Sequence, residues 1–164
     1  MDRVNIIIAD PEYRSYLQKN SDAEKNREFC SHPFEHLLSV ARLTWILLLE
    51  EGTPYISREM AYATGLLHDI GRWREYKDGA DHAEYSAELA RPLLDKAGFS
   101  KDESALIRKA IAQHRSKSAT AGHISPLSSA LKKADKYERT CFFCAARFQC
   151  NKVETQPHRY KLKY

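Results

Sequence analysis

Between Pro33 and Glu50 the apolar residues at 34, 37, 38, 41, 45 and 48 repeat at helical spacing, and Gly52 stops the run. Similar punctuation covers most of the chain. Asp10-Pro11 offers a cap followed by proline at the first helical position, opening a short helix towards Lys19. Ser57 is a cap for a helix that carries Met60, Ala63, Leu66 and Leu67 and ends near Gly71. Asp81 starts a helix at His82 that is expected to kink or end near Pro92. Ser100-Lys101-Asp102-Glu103 is a capping box for a helix through His114. A polar loop spans 116–124, and Ser125-Pro126 opens the last helix, through Asp135 and towards Cys141. No stretch of appreciable length alternates with period two. Asn5 to Ala9, rich in Ile, reads as a short strand or, preferably, as part of a first helix. The expected fold class is all-α.

The chain has 164 residues, which suits one domain with a real core. A helical segment is expected over 1–26, the main domain over 27–145, and a cysteine-bearing basic tail over 146–164. The longest apolar run, Leu43 to Leu49, is far too short to span a bilayer. Met1-Asp2-Arg3-Val4-Asn5 does not read as a signal peptide, so a cytoplasmic location is the expectation. The net charge is +4, and apart from the tail (Lys152, Arg159, Lys161, Lys163) the basic residues are dispersed. They form no interleaved aromatic-basic stripe, so specific nucleic-acid binding is not expected. Oligomeric state is open.

His68-Asp69 closes an apolar stretch, Gly65-Leu66-Leu67-His68-Asp69-Ile70-Gly71-Arg72. Burying a neutral polar group without a partner costs roughly 2–7 kcal/mol, so neither residue suits a packed face alone. A divalent transition metal would satisfy both. The competing reading is a histidine that caps a helix end beside a solvated aspartate. His36 lies mid-helix among Leu37, Leu38, Val40 and Ala41, and Asp135 follows Leu131-Lys132-Lys133-Ala134. His82 opens one helix and His114 closes another, so separate helices can bring these residues to one point.

This pattern resembles the HD superfamily of metal-dependent phosphohydrolases, over roughly residues 27 to 145. The matching residues are His36 in His-Leu-Leu-Ser-Val-Ala-Arg, His68-Asp69 in Leu-Leu-His-Asp-Ile-Gly, and Asp135 in Ala-Asp-Lys. Some branches insert two further histidines, and His82 and His114 look like that pair. The resemblance then implies two divalent ions held by His36, His68, Asp69, His82, His114 and Asp135, with Asp69 bridging. Whether they are Fe, Mn, Zn, Ni, Co or Mg is open. Two cations about 3.5–4 Å apart activate water and stabilise phosphoryl and leaving oxygens, leaving the protein to supply cationic phosphate contacts. Asp69 and Arg72 are the expected catalytic residues; Arg72, and Arg139 four residues after Asp135 on the same helical face, are the candidates for phosphate contacts, against a reading as ordinary surface arginines. His32 is read as a pocket-lining, supporting or surface residue; His123 and His158 are read as surface.

Cys141-x2-Cys144-x5-Cys150, with Cys30, has three readings. It could hold Zn or an iron–sulfur cluster, consist of buried thiols, or serve redox or disulfide chemistry. The leading functional expectation is hydrolysis of a phosphoester or phosphoanhydride in a small phosphorylated substrate, a nucleotide or dinucleoside polyphosphate. A di-iron oxygenase and a catalytically weak, nucleotide- or redox-responsive regulator are the alternatives.

Overall fold

Asp10 separates the first two helices. Its carboxylate accepts the Glu12 N–H at 2.7 Å, with Pro11 at the first helical position. In the computed structural model, which describes residues 1–27, 29–115, 124–150, 162 and 164, the chain forms α1 (Asp2–Ala9), α2 (Pro11–Glu24), α3 (Phe34–Glu50), α4 (Arg58–Leu67), α5 (Arg72–Asp78), α6 (His82–Lys96), α7 (Lys101–Gln113) and α8 (Pro126–Tyr137). A short 3-10 turn follows at Cys141–Phe143. No strand occurs among the described residues, and Asn5 to Ala9 is helical, with Val4 and Ile7 buried three positions apart. No helix there is long and apolar enough to cross a membrane. Positions 116–123, including His123, and 151–161, including His158, lie outside the described residues.

Two sequence expectations are corrected, and one is narrowed: α6 does not end at Pro92 but continues one turn beyond it, to Lys96. Proline inside a helix costs about 3 kcal/mol. Leu93 and Leu94 just beyond it are 1% and 0% exposed, and burying each contributes roughly 1.5–3 kcal/mol, enough to hold the helix through the break. The helix from Ser57 stops at Leu67, and a turn over 68–71 leads into α5. Gly71 donates its N–H to Ser86 Oγ at 2.9 Å, drawing that turn against α6. Finally, α8 stops at Tyr137 rather than nearing Cys141, so Arg139 lies beyond the helix that carries Asp135.

α3 lies at the centre, packed against α4 and α8, while α6 pairs with α7 and α1 and α2 cover α4 and α5. Caps and ion pairs fix the helix starts. Ser100 Oγ accepts the Glu103 N–H at 3.2 Å and Glu103 returns to the Ser100 N–H at 2.8 Å, completing the expected capping box. Arg3 ties α1 to Glu59 at 2.7 Å and to Glu103 at 2.8 Å. Replacing Ser100 by Ala is expected to cost about 1 kcal/mol, read as a fall of roughly 2–4 °C in Tm.

Candidate metal centre

Five buried histidines turn their Nε2 atoms inward on Asp69 and Asp135, and each has its Nδ1 fixed from behind. His68 Nδ1 donates to the Gly65 carbonyl and His114 Nδ1 to the Ile111 carbonyl, both at 2.7 Å. Carboxylates hold the other three: Glu138 takes His36 Nδ1 at 2.7 Å, Glu24 takes His32 Nδ1 at 2.5 Å, and Glu75 takes His82 Nδ1. Carbonyl and carboxylate oxygens only accept, so the proton of a neutral ring sits on Nδ1 and the Nε2 lone pair faces the site.

Arg72 and Arg139 agree with this tautomer, although Arg115 also stands 3.2 Å from His82 Nδ1. Arg72 donates to His82 Nε2 at 2.9 Å and Arg139 to His36 Nε2 at 3.3 Å, and a guanidinium has no lone pair with which to accept.

The two oxygens of Asp69 face different neighbours. Oδ1 lies 3.0 Å from His82 Nε2 and 3.5 Å from His114 Nε2; Oδ2 lies 3.4 Å from His68 Nε2 and 3.8 Å from His32 Nε2. Asp135 Oδ1 stands 3.5 Å from His36 Nε2 and 3.9 Å from His68 Nε2. Five of the six candidate ligands, together with His32, fall into cation-sized groupings; His82 reaches Asp69 Oδ1 but belongs to none of these groupings. The groupings are His36/His68/Asp135, His68/Asp69/His114 and His32/His36/Asp69.

The donor set fits a divalent cation. His68 Nε2 and Asp69 Oδ1 are buried with no hydrogen-bond partner among the described residues. A lone pair facing a carboxylate oxygen is repulsive unless positive charge lies between them, and imidazole with carboxylate suits a transition metal. Burial would raise Asp69, but the facing His68, His114 and His82 hold it well below the usual carboxylate range. Burial would lower His68, yet Asp69 and Asp135 pull it above its ordinary value. Burial does lower His36, against the pull of Glu138, and brings His32 down to about 4 against Glu24.

A hydrogen-bonded frame holds the doublet. Asn20, on α2 and 1% exposed, donates to the Asp69 carbonyl and accepts the Trp73 N–H, both at 2.8 Å. Removing it leaves a buried carbonyl and a half-buried N–H unpaired, so Asn20→Ala is expected to destabilise the fold by about 2 kcal/mol in denaturant titration. Tyr76 accepts from Arg72 Nε at 2.8 Å and donates to Glu24 at 2.9 Å, linking α5 to α2. Arg115 clamps Glu75 at 2.7 Å.

A model of the HD domain matches residues 34–140. The chain belongs to the HD family. A Clostridium beijerinckii protein described as uncharacterized is 35% identical to this HD chain over 151 residues, 92% of each. A bifunctional uridylyltransferase/uridylyl-removing enzyme of Erythrobacter litoralis is 38% identical over 65 residues, 40% of this chain and 7% of that enzyme. Among solved structures, a predicted HD superfamily hydrolase from an uncultured Thermotogales bacterium is 28% identical. It aligns with a TM-score of 0.56 over 84% of this chain and 74% of its own. The family match and the hydrolase neighbour agree with the expected class, a metal-dependent phosphohydrolase of the HD superfamily.

Sequence reasoning passed over several HD-site residues. Glu138 and Glu75 stand three residues after Asp135 and Arg72, a spacing that could have drawn attention to them. Asn20 and Glu24 arrive from α2 through tertiary packing alone. The Arg139 expectation also needs a different reason: off the helix, its guanidinium is anchored to the Ser31 carbonyl at 2.9 Å. Cys30, Cys141 and Cys144 line a cavity of about 370 Å³ beside His36, Glu138 and Arg139. Their sulfur atoms form no ligand-distance group among the described residues, and Cys150 closes the turns that follow.

Proposed function

We propose that this HD protein hydrolyses a phosphoester or phosphoanhydride bond in a small nucleotide-type substrate, dinucleoside polyphosphates included. The observation that carries this reading is the split of Asp69: one carboxylate oxygen faces His82 and His114, the other faces His68. That arrangement suits two ions sharing Asp69, one with His36, His68 and Asp135 and the other with His82 and His114. Bound there, divalent cations would supply Lewis acidity and lower the pKa of water.

The chain's own task is to hold phosphate. Arg72 and Arg139 lie at opposite ends of the cluster, against His82 and His36, and each guanidinium can offer a donor fork to non-bridging phosphate oxygens. Cavities of about 370 and 480 Å³ adjoin the cluster, within the range of small-molecule sites. The larger combines Phe34 and Leu17 with Arg14 and Lys25, an apolar wall beside cations that suits a base attached to phosphate. The uridylyl-removing activity in the Erythrobacter enzyme's name is chemistry of the same kind.

Arg72 gives the test. Arg72→Ala is expected to lower kcat about 10²-fold or more on nucleotides and dinucleoside polyphosphates, with a smaller rise in KM and unchanged metal content. Arg72→Lys should recover part of the loss, because it restores charge without the fork. Parent-like turnover of Arg72→Ala on every substrate would remove Arg72 from the reaction.

A further inference from the structure

We infer that His32, gripped by Glu24, is an additional metal ligand, giving the ion held at His36 and Asp69 one more imidazole nitrogen than the HD motif residues provide. The inference rests on the metal-centre reading above and extends it to a residue outside that motif.

His32 lies in the connection between α2 and α3, one residue before the cap of α3, yet it is only 6% exposed. Glu24 holds it with both carboxylate oxygens: Oε2 accepts the His32 backbone N–H at 2.7 Å and Oε1 accepts ring Nδ1 at 2.5 Å. Glu24 is itself 8% exposed and receives the Tyr76 hydroxyl at 2.9 Å. A buried carboxylate with three donors fixes both the tautomer and the direction of the ring. That is how carboxylates orient ligating histidines from behind.

His32 Nε2 is aimed into the cluster, 3.8 Å from Asp69 Oδ2, too long for a hydrogen bond. Its ring stands edge-on to His36 with centroids 5.4 Å apart. The donor atoms of His32, His36 and Asp69 all lie within 4.8 Å of one another, the same closeness that groups His36, His68 and Asp135. An accepting Nε2 pointed at an accepting oxygen is favourable when both contact one cation. An added nitrogen also biases the centre towards Mn, Fe, Co, Ni or Zn and away from Mg, which prefers oxygen and water.

The test titrates the metal-stripped full chain with Co²⁺, reading affinity and the visible Co²⁺ spectrum for the parent, His32→Ala and Glu24→Gln. Circular dichroism checks that each variant is folded. His32→Ala should weaken the affected Co²⁺ site by about 100-fold or more and alter its spectrum. Glu24→Gln, which keeps the imidazole but loosens its hold, should weaken the site by about 10–100-fold. If folded His32→Ala binds Co²⁺ with the parent's affinity and spectrum, His32 is not a ligand and the inference falls, while the HD centre stands. If His32→Ala does not fold, Glu24→Gln decides, and parent-like binding overturns the inference. A parent that takes up no Co²⁺, Mn²⁺, Fe²⁺ or Zn²⁺ would bring down the metal centre itself, and this inference with it.

Discussion

Asp69→Asn is expected to abolish retention of the ions and to reduce hydrolysis on the order of 10³-fold or more. Asparagine keeps the shape of the side chain and removes the charge. In the folded chain that charge faces His32, His68, His82 and His114, and Arg72 at 3.6 Å, more cationic or metal-binding partners than any other residue of the site. Losing a supporting partner of a ligand typically costs about 10–100-fold in metal affinity or activity, and the shared ligand itself should cost more. Elemental analysis of the purified variant, paired with phosphate release, reads both effects. Normal metal content with normal turnover would show that Asp69 is only a structural carboxylate.

Gly65→Ala carries the largest expected effect on stability. A Cβ at position 65 would lie 2.4 Å from Ala41 Cα and 2.5 Å from Ala41 N, so the clash is with the α3 backbone and no side-chain rotation relieves it. α4 must then lift from α3, which separates His68 from His36, whose ring centroids are 5.6 Å apart. A cost of at least about 3 kcal/mol is expected, a fall of roughly 6–12 °C in Tm, with metal uptake weakened in parallel. Thermal melts followed by circular dichroism measure the first part. A loss below about 1 kcal/mol would mean that the two helices do not rely on this approach.

Much of the fold was legible because local rules and tertiary packing agree along most of the chain. The Asp10, Ser57, Asp81, Ser100 and Ser125 caps each act as their sequence positions suggest, with side-chain oxygens accepting the expected backbone N–H groups. At Pro92 the exact end was not legible, because the burial of Leu93 and Leu94 carries α6 one turn past the proline. α5 was missed because Arg72–Asp78 buries no residue fully, leaving no apolar period to detect.

At the site, the histidines and aspartates stood out as polar groups in apolar surroundings. Their partners did not. Glu24, Glu75 and Glu138 look like surface carboxylates in sequence and become orienting groups only when α2, α5 and the end of α8 close around the rings. His32 was undervalued for the same reason. His36 one turn later allowed a pocket-lining reading, but the residue that fixes the ring, Glu24, stands eight residues away at the end of another helix.

The most direct test of the central claim is metal-dependent hydrolysis of nucleotide substrates by the full chain. Protein purified anaerobically and counted for metals should carry divalent ions and hydrolyse nucleotide or dinucleoside polyphosphate substrates, read as the nucleotide and phosphate products. It should lose turnover on chelation and regain it when Mn²⁺, Fe²⁺ or Co²⁺ is restored. Hydrolysis that persists at full rate in demonstrably metal-free protein would contradict the account.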